Sequence, residues 1–371
     1  MRVFRGVSYN IADLLYGRVD AVKGDACGES YLVTCADDKG YAYVRSGSLR
    51  EGVFLRRSWH THDRMHLSVG DVVCLRGDGR LVIEYSAGSR DNVFCVTDRC
   101  NQRCIMCPQH AVISGGTADR YEECCSIARL VEDSNPLVGI TGGEPLIAPD
   151  KFVGLVETCL ESCANWSFQV LTNATACAEY QLAKQLAQYL KGRAVFCVPI
   201  YSDSASVHDK IVGSHGGLWR ATLGVHHLAC EGIDAEIRTV LLPHNIHRLR
   251  SLAEFICKNF PFAGHVAFMG QEMIANARIN MDRVWVEPSE YGGVLVDAIE
   301  RLDDSRINVS IYNIPLCMLP ENLWKYASRS ISEWKVVHTE KCSKCRVRSE
   351  CCGIFFSNLK YVENYVVPIR S

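Results

Sequence analysis

The chain has 371 residues, 40 Lys+Arg against 42 Asp+Glu, and 20 cysteines. Near-neutral charge argues against a general nucleic-acid or membrane-surface binder, which carries a basic excess. No apolar run reaches the roughly 18–20 residues that span a bilayer, and the opening MRVFRGVSYNIADLLYGRVD has no continuous apolar stretch of the secretory kind. The expected compartment is cytoplasmic, where disulfides are rare. The cysteines therefore point to metal, catalysis or plain burial.

Residues 1–90 read as a β-rich domain. Tyr31–Thr34 and Tyr41–Val44 are β-prone runs around turn chemistry at Asp37–Gly40. Asp71–Leu75 and Leu81–Tyr85 flank Gly77-Asp78-Gly79, a hairpin signal. Ser86–Asp91 reads as a linker. From Asn92 the pattern changes to alternating strands and helices. Strands are expected at Val93–Val96, Leu137–Ile140, Ser167–Leu171, Ala194–Tyr201, Glu236–Leu242 and His265–Met269. Helices are expected at Lys151–Ala164, Ala178–Leu190, Leu218–Cys230 and Leu249–Phe260, each with an apolar stripe at helical spacing. This alternation predicts an α/β fold with a parallel sheet. Six strands suit a partial barrel or an open sheet, and in either the site lies at the carboxyl ends of the strands. After about Met281 the alternation is expected to stop. A helix at Tyr291–Leu302 and a strand at Val309–Asn313 then lead into a cysteine-rich tail. The expected domains are thus 1–90, 91–285 and 286–371, the first a guess at substrate or partner recruitment.

Two cysteine groups stand out. Cys100-Asn101-Gln102-Arg103-Cys104-Ile105-Met106-Cys107 follows the first strand of the alternating region. Three thiolates from one loop can hold three irons of a [4Fe–4S] cube and leave the fourth open to another molecule. Three buried thiols, or part of a zinc site, remain alternatives. The next strands end in Thr141-Gly142-Gly143-Glu144-Pro145, in Leu171-Thr172-Asn173 and in Tyr201-Ser202-Asp203. Polar residues therefore cap successive strands on one edge. The second group is Cys342-x2-Cys345-x5-Cys351, with Cys352 adjacent and Cys317 upstream. Four thiolates from two segments would suit zinc or a fully ligated iron–sulfur cluster. Cys317 is the expected fourth ligand and Cys352 the competitor. Lys341, Lys344, Arg346 and Arg348 interleave with these ligands and would offset their charge.

CNQRCIMC and GGEP resemble the cluster loop and strand-2 motif of the radical S-adenosylmethionine (SAM) enzymes, over roughly residues 92–270. The resemblance implies a partial (β/α)6 barrel. It also implies a [4Fe–4S] cluster on Cys100, Cys104 and Cys107, with SAM on the open iron. One electron would cleave SAM to a 5′-deoxyadenosyl radical that abstracts a substrate hydrogen atom. Gly142, Gly143, Glu144 and Pro145 would bind the SAM amino group, and Met106 would contact adenine through its backbone. Ser202 matches the ribose position; Asn173 and Arg238 are placed in the SAM pocket by position only. No other catalytic residue is assigned. The tail resembles the auxiliary-cluster extension called SPASM, or its shorter form twitch. It implies an auxiliary [4Fe–4S] cluster on Cys317, Cys342, Cys345 and Cys351. The layout is similar to the His-Xaa-Ser system maturases of the HxsC type. That implies a small precursor peptide or protein as substrate, a second radical SAM maturase as partner, and an electron donor such as flavodoxin or ferredoxin. Neither a membrane nor nucleic acid is expected as a partner. The rivals are an enzyme acting on a small molecule or RNA, and a non-catalytic partner subunit.

Three other features are read as structural. His60, His62 and His66 are expected in a solvated loop. His208-Asp209 is expected to cap a helix or bridge a loop rather than act as acid and base. The remaining cysteines are expected to be buried small hydrophobes.

Overall fold

The computed structural model of the chain describes residues 2–5, 7–9, 11, 14–25, 28–35, 41–47, 58–61, 66–109, 119–332 and 335–370. The turn expected at Asp37–Gly40, and His62, lie outside the described residues. The chain packs as two compact units. One comprises Met1–Thr97, Ala118–Thr141 and Ala148–Gln169; the other comprises Asp98–Thr117, Gly142–Ile147 and Val170–Ser371.

The first unit opens with β1 (Arg2–Arg5), β2 (Val7–Tyr9), β3 (Leu14–Asp25), β4 (Gly28–Cys35), β5 (Tyr41–Gly47), β6 (Ser58–Thr61), β7 (Val72–Arg76) and β8 (Arg80–Tyr85). Their order is β1-β8-β7-β3-β4-β5-β6-β2. β1 pairs with β8 at one end and β2 pairs with β6 at the other. Only one residue separates β1 from β2, so the two ends of the sheet meet in one stretch of chain and the sheet closes on itself. Closure removes the exposed edges that would template pairing with other chains. Leu15, Val19, Tyr31, Val33, Val44, Leu67, Val73, Leu75 and Leu81 fill its core. His60 and Thr61 lie in β6, not in a loop.

Next come β9 (Val93–Cys95), α1 (Tyr121–Ala128), β10 (Leu137–Thr141), α2 (Pro149–Ser162) and β11 (Ser167–Leu171). Within the first unit Trp166, 1% exposed, joins the small barrel to this βαβ segment. Its ring meets Tyr85 edge-on at 6.2 Å, Phe94 at 6.2 Å and Phe168 in a stack at 6.1 Å. A polar seam runs alongside. Arg120 donates to Glu123 and to the buried Glu84, and the Tyr16 hydroxyl donates to Glu123 at 2.8 Å.

The remaining elements are α3 (Tyr180–Leu190), β12 (Ala194–Pro199), α4 (Ala205–Val212), α5 (Gly217–Cys230), β13 (Asp234–Val240), α6 (Leu249–Asn259) and β14 (His265–Met269). They continue with α7 (Ala275–Ile279), α8 (Met281–Val284), α9 (Tyr291–Asp304), β15 (Val309–Tyr312), β16 (Ala327–Ser328), β17 (Val336–Val337) and β18 (Ile354–Phe355). The large sheet has the order β9 to β16 without a reversal. A doubly wound sheet reverses at a switch point, whereas a barrel does not. The architecture is therefore α/β of the partial-barrel kind. Among the described residues its two ends are not paired. The alternation does not stop at Met281: β15 pairs parallel with β14 in register Ala267↔Ser310, and the two-residue β16 follows.

Alternation across the strands separates two faces. Ile237, Val266, Phe268 and Ile311 are fully buried on one. The other carries Glu236, Arg238, His265, Ser310 and Tyr312 by register. Among the described residues no helix is long and apolar enough to cross a membrane.

Candidate functional site

The residues of both candidate thiol sites belong to the second unit. The cluster loop leaves β9 and is gripped by backbone from two helices. The amides of Arg103 and Ile105 donate to the carbonyls of Val212 and Ile211 at the end of α4, at 2.8 and 3.0 Å. Gly213 follows there at φ +61°, and a Cβ would stand 2.9 Å from the Arg103 carbonyl, so glycine is required. On the other side Asn276 reaches the Cys104 carbonyl at 3.3 Å, and Asn280 reaches the Ile105 carbonyl at 2.8 Å. Ile105 and Met106 are buried among Tyr201, Ile211, Leu242 and Met273. The Met106 side chain is thus part of the core, which leaves its backbone for any ligand contact.

Cys100, Cys104 and Cys107 are half-buried free thiols. Burial pushes all three up, Cys100 to about 11. At Cys104 the charges of Cys107 and Cys100 add to that shift. Deprotonated together, the three would repel one another, a charge that a polynuclear cation would neutralise.

The GGEP segment packs directly on this loop. A Cβ on Gly143 would lie 2.2 Å from the Arg99 carbonyl oxygen, so only glycine permits the approach. The Glu144 amide donates to the same carbonyl at 2.7 Å. Glu144 is 2% exposed and its carboxylate is already engaged. Oε1 accepts from the Leu146 amide at 2.9 Å and the Thr172 hydroxyl at 2.5 Å; Oε2 accepts from the Asn173 amide at 2.7 Å. Burial raises its pKa, and these donors pull the other way. Its side chain therefore ties two strand ends together, leaving the backbone of Gly142 and Gly143 as the accessible part of the motif. Asn173 is likewise committed, donating to Asn101 at 2.7 Å and accepting from Thr175 at 2.6 Å.

Ser202 is fully buried and accepts from the Ser204 amide at 3.1 Å. The neighbouring Asp203 is held by a two-pronged ion pair from Arg248. Arg238 donates to Glu236, whose other oxygen bonds His265 Nδ1 at 3.0 Å; His265 Nε2 meets Ser310 at 2.9 Å. Arg238 is thus one member of a polar row across β13–β15. His208 is 1% exposed, and its Nδ1 accepts from the Tyr201 amide at 3.2 Å. Asp209 caps α5 through the Gly216 and Leu218 amides. Both residues support structure.

The second thiol group lies beyond β15. Cys317, Cys342, Cys345 and Cys351 line one cavity with about 390 Å³ of empty space, open in part to solvent. His338 and Arg348 line it too. The Leu316 amide points at Cys351 Sγ, 3.5 Å away. Cys352 does not line the cavity; it is buried with Ile331 and Phe355, and its thiol faces the Gly353 carbonyl. His338 Nε2 is buried without a hydrogen-bond partner. An orphaned imidazole beside four thiols fits a site that takes a metal–sulfur group, whose sulfurs accept N–H donors. Among the described residues no three His, Cys, Asp or Glu side chains form a ready chelate for a single ion. Every cysteine whose side chain is described is a free thiol. Most of those outside the two groups are buried, as at Cys124, Cys159 and Cys177, while Cys230 is exposed.

Sequence reasoning missed Asn101, Thr172, Asn276, Asn280, Glu236, His265 and His338. The first six reach partners distant in sequence, and only packing brings His338 beside the thiols, so no local spacing signals these roles.

A comparison with curated proteins finds no match. Among solved structures, Streptococcus suis SuiB bound to precursor peptide SuiA aligns with a TM-score of 0.48 at 13% identity, over 62% of this chain and 49% of SuiB. Native anSMEcpe with bound AdoMet and Kp18Cys peptide aligns at 0.46 and 16% identity, over 58% of this chain and 62% of that one. TYW1 with a lysine-pyruvate adduct bound aligns at 0.37 and 14% identity, over 59% and 71%. The chain thus spans about half the length of SuiB and about three-fifths of anSMEcpe. Residues 94–256 match the radical SAM superfamily. That match covers less than half of the chain.

Proposed function

We propose that this chain is a radical SAM enzyme that modifies a side chain of a small precursor peptide or protein, of the His-Xaa-Ser system type. The observation that carries the reading is the packing of the Cys100/Cys104/Cys107 loop against Gly143 and Glu144 at the carboxyl ends of the strands. A second cavity, lined by four cysteines, follows β15 at that same edge. Cys100, Cys104 and Cys107 would hold a [4Fe–4S] cluster, and Gly142 and Gly143 would receive the SAM amino group. Pro145 would shape the turn that follows, and Ser202 and Arg238 would line the SAM pocket. Cys317, Cys342, Cys345 and Cys351 would hold an auxiliary [4Fe–4S] cluster. When bound, the first cluster and SAM supply a radical able to abstract a hydrogen atom. The chain's own work is to position. Asn276, Asn280 and the end of α4 fix the cluster loop, and Glu144 locks the loops after β10 and β11 to each other. His338 would donate its N–H toward a sulfur of the auxiliary site and tune its potential. An electron donor such as flavodoxin or ferredoxin, and a second radical SAM maturase, complete the proposal.

The test is a mass change on a His-Xaa-Ser-repeat protein incubated anaerobically with the iron-loaded chain, SAM and a reductant. The change is expected with the natural chain and lost in Cys104→Ala. SAM cleavage without any change of mass would move the substrate to a small molecule or RNA.

A further inference from the structure

A second pocket, with about 340 Å³ of empty space open in part to solvent, opens at the ends of β14 and β15. Gly270 and Gln271 directly follow β14, and Asn313 and Ile314 directly follow β15. All four line it, with Trp285, Tyr291 and Phe355. Its position is informative. It shares Pro315 and Ile354 with the four-cysteine cavity. Its Gln271 also begins the short segment that reaches the Cys104–Cys107 loop through Asn276. The pocket therefore adjoins the four-cysteine cavity and includes the start of the segment that holds the Cys104–Cys107 loop.

The pocket is built, not incidental. A Cβ on Gly270 would lie 2.8 Å from the Asn313 carbonyl oxygen, so the two strand ends close tightly there. Asn358 fixes the backbone, donating to the Gln271 carbonyl at 2.7 Å and accepting from the Met273 amide at 2.7 Å. The Gln271 side chain is 8% exposed. Its Nε2 donates to the Glu272 carbonyl, which assigns the amide's orientation. Its Oε1 is buried and meets no donor. A buried acceptor without a partner is rare and calls for an explanation.

We propose that this pocket receives an aromatic side chain bearing one N–H or O–H donor, from the substrate peptide. The inference rests on the peptide-modifying reading above. The aromatic and aliphatic walls suit a ring. The single orphaned acceptor asks for one donor and no charge. A phenyl or alkyl group would leave Gln271 Oε1 unpaired, and an acceptor would face it unfavourably.

The experiment uses the full chain with N-acetyl-tryptophanamide and N-acetyl-phenylalaninamide as probes, read by saturation-transfer NMR. The indole is expected to bind about fivefold more tightly than the phenyl, the size of one neutral hydrogen bond. Gln271→Leu, checked for folding by thermal unfolding, is expected to remove that preference. It should raise the KM for a modified peptide while leaving SAM cleavage without peptide unchanged. Equal affinity for the two probes, no saturable binding by either, or a preference that survives Gln271→Leu would overturn the proposal, the last two meaning that the pocket holds only water or binds elsewhere. Failure of the peptide reading is separate: no peptide would change mass with the natural chain.

Discussion

At the scale of single residues, the candidate site rests on buried hydrogen bonds more than on the motif letters. Glu144 is the centre. Thr172→Val would delete the hydroxyl that donates to Glu144 Oε1 and accepts from the Ala174 amide. The expected cost is about 1.5–3 kcal/mol in urea unfolding, the range for a hydrogen bond to a charged group, with weaker SAM binding. His208 gives a pH prediction. Burial lowers its pKa from 6.5 to about 4. Below pH 6.5 the unfolded chain gains a proton that the fold refuses. Stability should therefore be complete above that pH and fall as pH drops toward 4, by about 3 kcal/mol in all. His208→Asn, which keeps an acceptor for the Tyr201 amide, should flatten this slope in unfolding curves taken between pH 4 and 7. The three cysteines and GGEP were legible because their chemistry is written in contiguous residues. Thr172, Asn276 and Asn280 were not, since they act on residues 28 to 175 positions away. The Glu144 carboxylate illustrates the limit: spacing located the residue, but only packing reveals that its oxygens face protein donors.

At the scale of elements, most of the alternating region was legible because buried strands and amphipathic helices carry periodic apolar patterns. The predicted Ser167–Leu171 and His265–Met269 strands are found with those bounds. The short α1 and α4 were missed; eight residues each give too few turns for a periodic signal. β3 was missed too: Gly17 interrupts it and an irregularity falls between Val19 and Ala21. The closing of the first sheet was invisible for another reason, because closure is a pairing between sequence-distant strands. Trp166 tests the seam in the first unit. Trp166→Ala is expected to destabilise the chain by about 3–5 kcal/mol in denaturant unfolding, the cost of a large aromatic cavity. The seam also bears on how recruitment by residues 1–90 can be tested. Deleting them removes Tyr85 from Trp166 and Glu84 from Arg120. A folded but binding-deficient product is not expected from that deletion, so exposed substitutions such as Leu14→Lys are the sounder probe.

At the scale of the whole molecule, the 20 cysteines divide by environment. Three sit on one loop at the sheet's carboxyl edge, four line a cavity beyond β15, and most of the other described ones are simply buried. If both groups hold cubes, anaerobically loaded chain should carry about eight irons, four per cube. Cys104→Ala and Cys317→Ala should each carry about four, while Cys352→Ala keeps the full complement. Iron and zinc analysis of the purified chains reads this directly, and zinc at one per chain would reassign the tail site. The most direct test of the central claim is 5′-deoxyadenosine formation by the anaerobically reduced, iron-loaded chain supplied with SAM. It is expected from the natural chain and from Cys352→Ala, and is expected to be absent with Cys104→Ala. No 5′-deoxyadenosine from natural chain with its iron fully loaded would contradict that claim.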